Sequence, residues 1–299
     1  MNKPAELPEV SLSQKLLAAA MEFLPHHLLG SLMYRVARIE VPFIKNLIIG
    51  QVVRHFDIDM SQAVVKDPLA YKSFNDFFTR KLETDARPVA GGESDIASPV
   101  DGEVSQSGII DEGKLIQAKG RYYSLNALLG GDSEMATQFE NGNFSTIYLS
   151  PRDYHRIHMP IDGHLSKMVH VPGRLFSVNQ ATTQAVDNLF ARNERVICQF
   201  DTQAGPMVMI LVGAIFVGSM ETVWSGLVTP VSQRISNWDY DNQPEQQVFL
   251  RKGEEMGRFN MGSTVILLFP VNGVAWDPEH TARQHVRMGE RIGGRLISA

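Results

Sequence analysis

One cysteine among 299 residues leaves no internal disulfide framework and no cysteine-built zinc cluster. Cys198, in Val196-Ile197-Cys198-Gln199-Phe200, reads as a small buried apolar residue and suggests a reducing compartment. Low-complexity blocks and collagen-like periods are missing, and 43% hydrophobic content is too high for a disordered chain. No signal peptide is expected, because Glu6 and Glu9 interrupt the first ten residues and Glu22 closes the apolar run 16–21. The longest uncharged run, 202–220, approaches bilayer-spanning length. Its Gly-punctuated, β-branched centre, Met207 to Val217, reads as buried strands instead, so no transmembrane segment is expected.

The sequence also lacks a Gly-x-Ser-x-Gly elbow, a phosphate-binding Gly-x-x-x-x-Gly-Lys loop, a Gly-x-Gly-x-x-Gly turn and a His-Glu-x-x-His pair. Most α/β-hydrolases, P-loop enzymes, Rossmann dehydrogenases and zincins are thereby set aside. The formal net charge of −5 argues against a general nucleic-acid partner. Charge is uneven, however. Residues 1–56 carry six Lys/Arg against four Glu, a net of +2, which leaves −7 on the remainder. A mildly basic, apolar N-terminus on an acidic body is an interfacial pattern.

What is present divides near residues 83–96. Helical spacing marks 13–24, a second segment through Leu28, Leu32, Met33, Val36 and Ile39, and a third through Phe43, Ile44, Leu47, Ile48, Val52 and Phe56. Pro25 and Pro42 separate them. Such helices can pack on the protein's own core or dock on a membrane surface. A fourth helix is expected over 73–82. Beyond Pro88 short β-branched runs dominate, at 102–105, 115–118, 145–149, 195–200, 208–217 and 264–269, with one helix expected over 181–193.

Three stretches can carry chemistry. Ser150-Pro151-Arg152-Asp153 has capping-box form, so a helical turn should place His155 and His158 on one side. A metal would need a third ligand that nothing nearby supplies, so no metal is expected. Pro99-Val100-Asp101-Gly102 is ordinary turn chemistry whose carboxylate could also orient a histidine. In the stretch Asn260-Met261-Gly262-Ser263-Thr264, which runs on to Pro270, a serine follows glycine, whose lack of Cβ leaves its carbonyl open to attack. The hydroxyl still needs a base.

Taken together these stretches resemble bacterial phosphatidylserine decarboxylases of the membrane-associated, pyruvoyl-dependent type. The resemblance spans nearly the whole chain. It rests on Phe74-Asn75-Asp76-Phe77-Phe78-Thr79-Arg80-Lys81-Leu82 with Arg87-Pro88, Ser98 to Gly102, Gln117-Ala118-Lys119-Gly120, residues 150–160, Val171 to Asn179, Gly262-Ser263-Thr264 and Val286 to Glu290. It departs at Met261, where the family usually has Leu or Val. Methionine has similar volume, so cleavage is expected to survive.

The resemblance implies an α+β fold in which an N-terminal helical membrane-docking segment (1–60) and a helix with linker (61–96) precede a β-rich, mainly antiparallel catalytic domain (97–299). It implies a triad of Asp101, His158 and Ser263. Ser263 would attack the Gly262 carbonyl, cut the chain into 1–262 and 263–299, and become a pyruvoyl group, the covalent cofactor. That group would condense with the serine amine of phosphatidylserine and accept electrons as CO₂ leaves. His155 would protonate the product carbanion, and Ser177 would help place the substrate. The implied partners are phosphatidylserine, an anionic membrane surface on the cytoplasmic side of the cell membrane, and the protein's own two chains as a heterodimer, with room for a homodimer of that pair. Because the triad lies wholly in the β-rich part, the helices should be dispensable for cleavage. Two other classes stay open: a serine hydrolase acting on external lipid or peptide, and a noncatalytic β-domain that binds lipid headgroups.

Overall fold

The computed structural model describes residues 26–118, 120–215, 219–229, 233–242, 244–261 and 263–296. The helix expected over 13–24 lies outside these residues, as does Gly262.

Helices come first. α1 (His26–Ala37) and α2 (Pro42–Phe56) fall on the two expected segments. Pro42 opens α2, where a missing N–H is harmless. The helix stops at Asp57, whose left-handed φ of 49° turns its N–H back to the Val53 carbonyl. α3 spans only Phe74–Phe78, with Ser73 Oγ accepting the Asp76 N–H. It falls short of the expected 73–82 because residues 81–82 join a different ladder. Val64 N–H donates to Lys81 O at 3.0 Å, and Leu82 bridges Ala63. Ala37, Ile49, Ile58, Phe74, Phe77 and Phe78 form one buried cluster that ties the three helices together.

The rest is mainly antiparallel sheet, so the chain is α+β as expected. The largest sheet among the described residues runs Ser236–Asp239, Gly163–Val171, Arg195–Thr202, Gly205–Val212, Ser263–Phe269, Asn143–Leu149, Gly102–Ile109 and His285–Val286. The expected runs lie in its strands or, for 115–118, in the small hairpin strand Lys114–Ala118, except that 208–217 is strand only as far as Val212. Along Ser263–Phe269 the side chains alternate between two cores. Val265, Leu267 and Phe269 enter one, while Ile266 and Leu268 enter the other. A strand covered on both faces reads as a continuous apolar run, which is why the period-2 signal was faint.

A second sheet orders Gly226–Leu227, Met220–Thr222, Glu255–Phe259 and Arg156–His158. The helix expected over 181–193 divides into Gln180–Ala185 and Leu189–Arg192, broken at Asn188 with φ 55°. Two short helices unmarked in the sequence, Leu125–Leu128 and Ser133–Phe139, are capped by Ser124 and Asp132. They are too short to show a helical period. No helix among the described residues is long and apolar enough to cross a membrane.

Candidate active site

The stretch 150–160 is not a helical turn. Asp153 N–H donates to Ser150 O at 2.9 Å, and Asp153 Oδ2 accepts both the N–H and the hydroxyl of Ser150 at 2.7 Å. One closed turn results, and then the chain extends as Arg156–His158 to pair with Glu255–Phe259. Strand pairing and burial override the capping signal. The two histidines consequently have different surroundings.

His155 is fully buried. Its ring lies 4.0 Å from that of Phe78 in α3. Nδ1 sits 2.8 Å from the Asp153 carbonyl, which can only accept, so Nδ1 carries the proton. Nε2 is then a lone-pair nitrogen, and it has no hydrogen-bond partner in the protein. Burial, reinforced by nearby Arg80, pushes the imidazole down from 6.5 to about 3. His158 follows the same logic. Its Nδ1 donates to Gly253 O at 2.8 Å, and its Nε2 accepts from the Tyr154 hydroxyl at 3.1 Å. Burial lowers its pKa too. Both rings are therefore neutral, each with Nε2 available as a base.

Asp101 is largely buried, and its oxygens are committed elsewhere. Arg87 grips it bidentately, Nε to Oδ1 at 2.8 Å and Nη2 to Oδ2 at 2.5 Å, and the Met288 N–H donates to Oδ1 at 2.8 Å. The Gly253 carbonyl thus fixes the His158 tautomer directly, while Asp101 acts on that ring through space. Gly102 lets Asp101 approach: a Cβ there would lie 2.4 Å from Tyr148 O.

Ser263 begins its strand opposite Leu149, one residue before the histidine loop starts. Four residues upstream of Ser263, the Phe259 N–H donates to His155 O at 3.1 Å. Asn260 and Met261 therefore lead away from the small sheet toward the strand that begins at Ser263, beside the loop that carries both histidines. This segment is held firmly. Asn260, 1% exposed, donates from Nδ2 to Ser219 Oγ at 2.8 Å and to Glu221 Oε1 at 2.7 Å. Its Oδ1 accepts from Asn75 of α3 at 3.1 Å. Met261 is held at φ 103°, a conformation costly for a residue with a side chain and of the kind found at functional sites.

The helices are part of this arrangement. Met261 packs against the cluster shared by α1, α2 and α3, and Arg38, just past the end of α1, lies 3.7 Å from Glu221. α3 also reaches the histidine loop. The Thr79 carbonyl accepts from Arg156 Nε, and Arg80 Nη2 donates to Arg152 O. The separation between helices and cleavage site expected from the sequence is not what the structure holds.

Ser177 lies in the loop after Gly163–Val171. Its carbonyl accepts from Thr182 Oγ1 at 2.6 Å. Asn193 Nδ2 donates to the Phe176 carbonyl at 2.9 Å and to the Gly213 carbonyl at 2.8 Å, which ties this loop to the end of Gly205–Val212, where Val212 pairs with Thr264. No described contact joins it to His155. Tyr154, Gly253, Arg87, Asn75 and Asn260 were not singled out as functional from the sequence. Tyr154, Arg87, Asn75 and Asn260 all lie inside the motifs read from the sequence, whereas nothing local marks Gly253.

Comparison with known proteins decides the family. The family model described as phosphatidylserine decarboxylase matches residues 74–294, well over half of the chain. The chain belongs to the phosphatidylserine decarboxylase family. A second model, PSD, matches residues 18–57, which take in α1 and α2. Proteins named phosphatidylserine decarboxylase proenzyme align over almost their whole length. That of Azotobacter vinelandii is 50% identical over 94% of this chain and 99% of its own. That of Bordetella pertussis is 54% identical over 93% and 94%, and that of Stutzerimonas stutzeri 49% over 96% and 97%. The family match takes in the histidine loop, the segment leading to Ser263 and the helix that touches both.

Proposed function

We propose that this chain decarboxylates phosphatidylserine to phosphatidylethanolamine after cutting itself between Gly262 and Ser263. The observation that carries the reading is the pair of neutral histidines beside the segment that leads from Phe259 to Ser263, each with an unprotonated Nε2. His158, whose Nε2 holds only a tyrosine hydroxyl, takes the Ser263 proton. Asp101 stabilises the resulting imidazolium through space. The Ser263 oxygen attacks the Gly262 carbonyl carbon, and the peptide nitrogen leaves as an amine, so the peptide bond becomes an ester. Elimination releases the Gly262 carboxylate and leaves dehydroalanine. Water then replaces its nitrogen, ammonia departs, and residue 263 ends as a pyruvoyl group. The backbone strain at Met261 raises the ground state next to the bond that breaks.

The residues fit such a group, since His155 Nε2 is a buried polar atom without a partner beside this segment. The pyruvoyl carbonyl supplies an electron sink for loss of CO₂. His155 handles the proton. Its free Nε2 receives one from the incoming ammonium and returns it to the carbon that has lost CO₂. Cleavage need not separate the chains, because Ser263–Phe269 is laddered between Asn143–Leu149 and Gly205–Val212. The large and small chains stay together as a heterodimer.

The same reading gives α1 and α2 a second task. Leu28, Leu32, Phe43 and Leu47 are exposed, Phe43 by 79%, and Arg35 and Arg54 are exposed on the same two helices. A large apolar side chain left in water at each of these positions suits a peripheral docking surface on an anionic leaflet, on the cytoplasmic side of the cell membrane. Intact-mass analysis of the purified protein tests the whole proposal. Two chains, 1–262 and 263–299, are expected, with the smaller blocked at its N-terminus. Ser263→Ala should give one uncleaved chain that releases no CO₂. A 37-residue fragment from that variant would overturn the mechanism.

A further inference from the structure

Beside the histidine loop lies a cavity of about 320 Å³ lined by Arg80, Arg152, Arg287, Tyr154, Asp101 and Asp153, among others. Arg80 is 4% exposed and donates through Nη2 to the Arg152 carbonyl at 2.9 Å. Its Nε and Nη1 have no partner in the protein. The Phe77 ring lies 5.8 Å from the Arg80 Cζ and offsets part of the desolvation cost, but the two unused donors still call for an anion or acceptor. Burial accordingly lowers its pKa.

Of the four carboxylates on the wall, Asp57 is exposed and makes no described bond to Arg80, and the other three are engaged with other partners. Asp101 is bound by Arg87 and the Met288 N–H, Asp153 accepts from Ser150, and Asp59 accepts from Ser61. Arg152 and Arg287 add two further cations to the wall. Tyr154 lines the same space while its hydroxyl holds His158, so an occupant of the cavity lies next to the chemistry.

We infer that this cavity binds the phosphodiester of the substrate's headgroup, with Arg80 as its anchoring donor; the inference rests on the decarboxylase reading and names a part of that same site. A phospholipid headgroup of this class offers two anions, a carboxylate and a phosphodiester. A guanidinium clamped on the carboxylate would stabilise the ground state of the group that must leave, and so oppose its loss. The phosphodiester keeps its charge throughout, so binding it costs the chemical step nothing. Arginine's fork of donors matches two phosphate oxygens at once.

Glycerophosphoethanolamine, the headgroup of the product, is a soluble probe that is not turned over. Titrated calorimetrically into the wild-type protein it should bind, and Arg80→Met should weaken binding by about tenfold or more, as expected for a lost charge-assisted hydrogen bond. For phosphatidylserine in mixed micelles, KM should rise by a similar factor, and Arg80→Lys should fall between the two. A processed Arg80→Met protein with unchanged KM and unchanged probe affinity overturns the assignment. If Arg80→Met yields no fragments, Arg152→Gln decides: a rise in KM and weaker probe binding support the site, and no change in either overturns it. Inorganic phosphate binding as tightly as the probe would mark a free-phosphate site and overturn the headgroup assignment. A wild-type protein that binds the probe yet releases no CO₂ would sink the decarboxylase reading while leaving the phosphodiester site standing.

Discussion

His155 should make the fold sensitive to acid, and replacing it should remove a defined part of that sensitivity. In the native protein its imidazole is pushed from 6.5 down to about 3, first by burial and then by Arg80. The unfolded chain takes up a proton near 6.5 that the folded chain refuses. Stability contributed by the neutral ring is complete above that value and falls as pH drops toward 3. Each pH unit in that window costs about 1.4 kcal/mol, so going from about pH 7.5 to about pH 5 costs about 2 kcal/mol from this residue. His158 and His280 are lowered by burial as well, so the parent protein should lose more than this. The informative quantity is the difference between parent and His155→Gln. Urea unfolding in the Ser263→Ala background keeps the chain in one piece, and glutamine retains an amide able to donate to Asp153 O. The acid loss should shrink by about 2 kcal/mol in His155→Gln, read as a smaller shift of the unfolding midpoint. Equal acid losses in the two proteins would refute the buried, neutral imidazole on which the proton-handling role depends.

Three further outcomes are expected. His158→Ala should leave the chain uncleaved, whereas His155→Ala should be cleaved and then release CO₂ about 10²–10⁴-fold more slowly; a gel and a CO₂ assay separate the two, and equal failure to cleave would refute the division of labour. Asn260→Ala strands buried partners at Asn75, Ser219 and Glu221, a loss of about 1–3 kcal/mol, and should slow the appearance of the small fragment; cleavage at the wild-type rate would show that the segment before Ser263 needs no clamp. Phe43→Glu combined with Leu47→Glu should abolish sedimentation with anionic vesicles while both fragments still form, and unchanged sedimentation would remove the docking surface.

Local signals served well where one element answers to its own residues. Pro42 and the apolar spacing located α2, and the β-branched runs located the strands of the large sheet. They failed where a distant partner decides. Ser150 to Asp153 has every mark of a helix start, yet the chain leaves as a strand because Glu255–Phe259 waits to pair with it. The same cause hid Gly253 and Asn260, whose roles rest on hydrogen bonds to His158 and Asn75, at separations of 95 and 185 residues. Asp101 and His158 were legible as participants, but their partners were not. A carboxylate beside a histidine suggests a direct bond, and only the placement of Arg87 and Met288 shows the carboxylate already engaged.

α3 explains why the helical and β-rich parts share a site. Five residues long, it presents Asn75 to the segment before Ser263, Phe78 to the His155 ring and, just past its end, Thr79 to Arg156 and Arg80 to the loop carbonyl of Arg152. Its other face packs with Ile49 of α2 and Ala37 of α1. A helix this short has no stability of its own, so its position is set by what it touches on both sides. The helices whose outer faces carry Phe43 and Leu47 are therefore fastened, through one shared cluster, to Met261. Any tilt of α1 and α2 on docking must be absorbed in that cluster or passed to the segment beside Gly262. Packed cores resist graded deformation, which favours a cap that moves with the site as one body and would hold the proposed headgroup cavity and the proposed docking surface in fixed register.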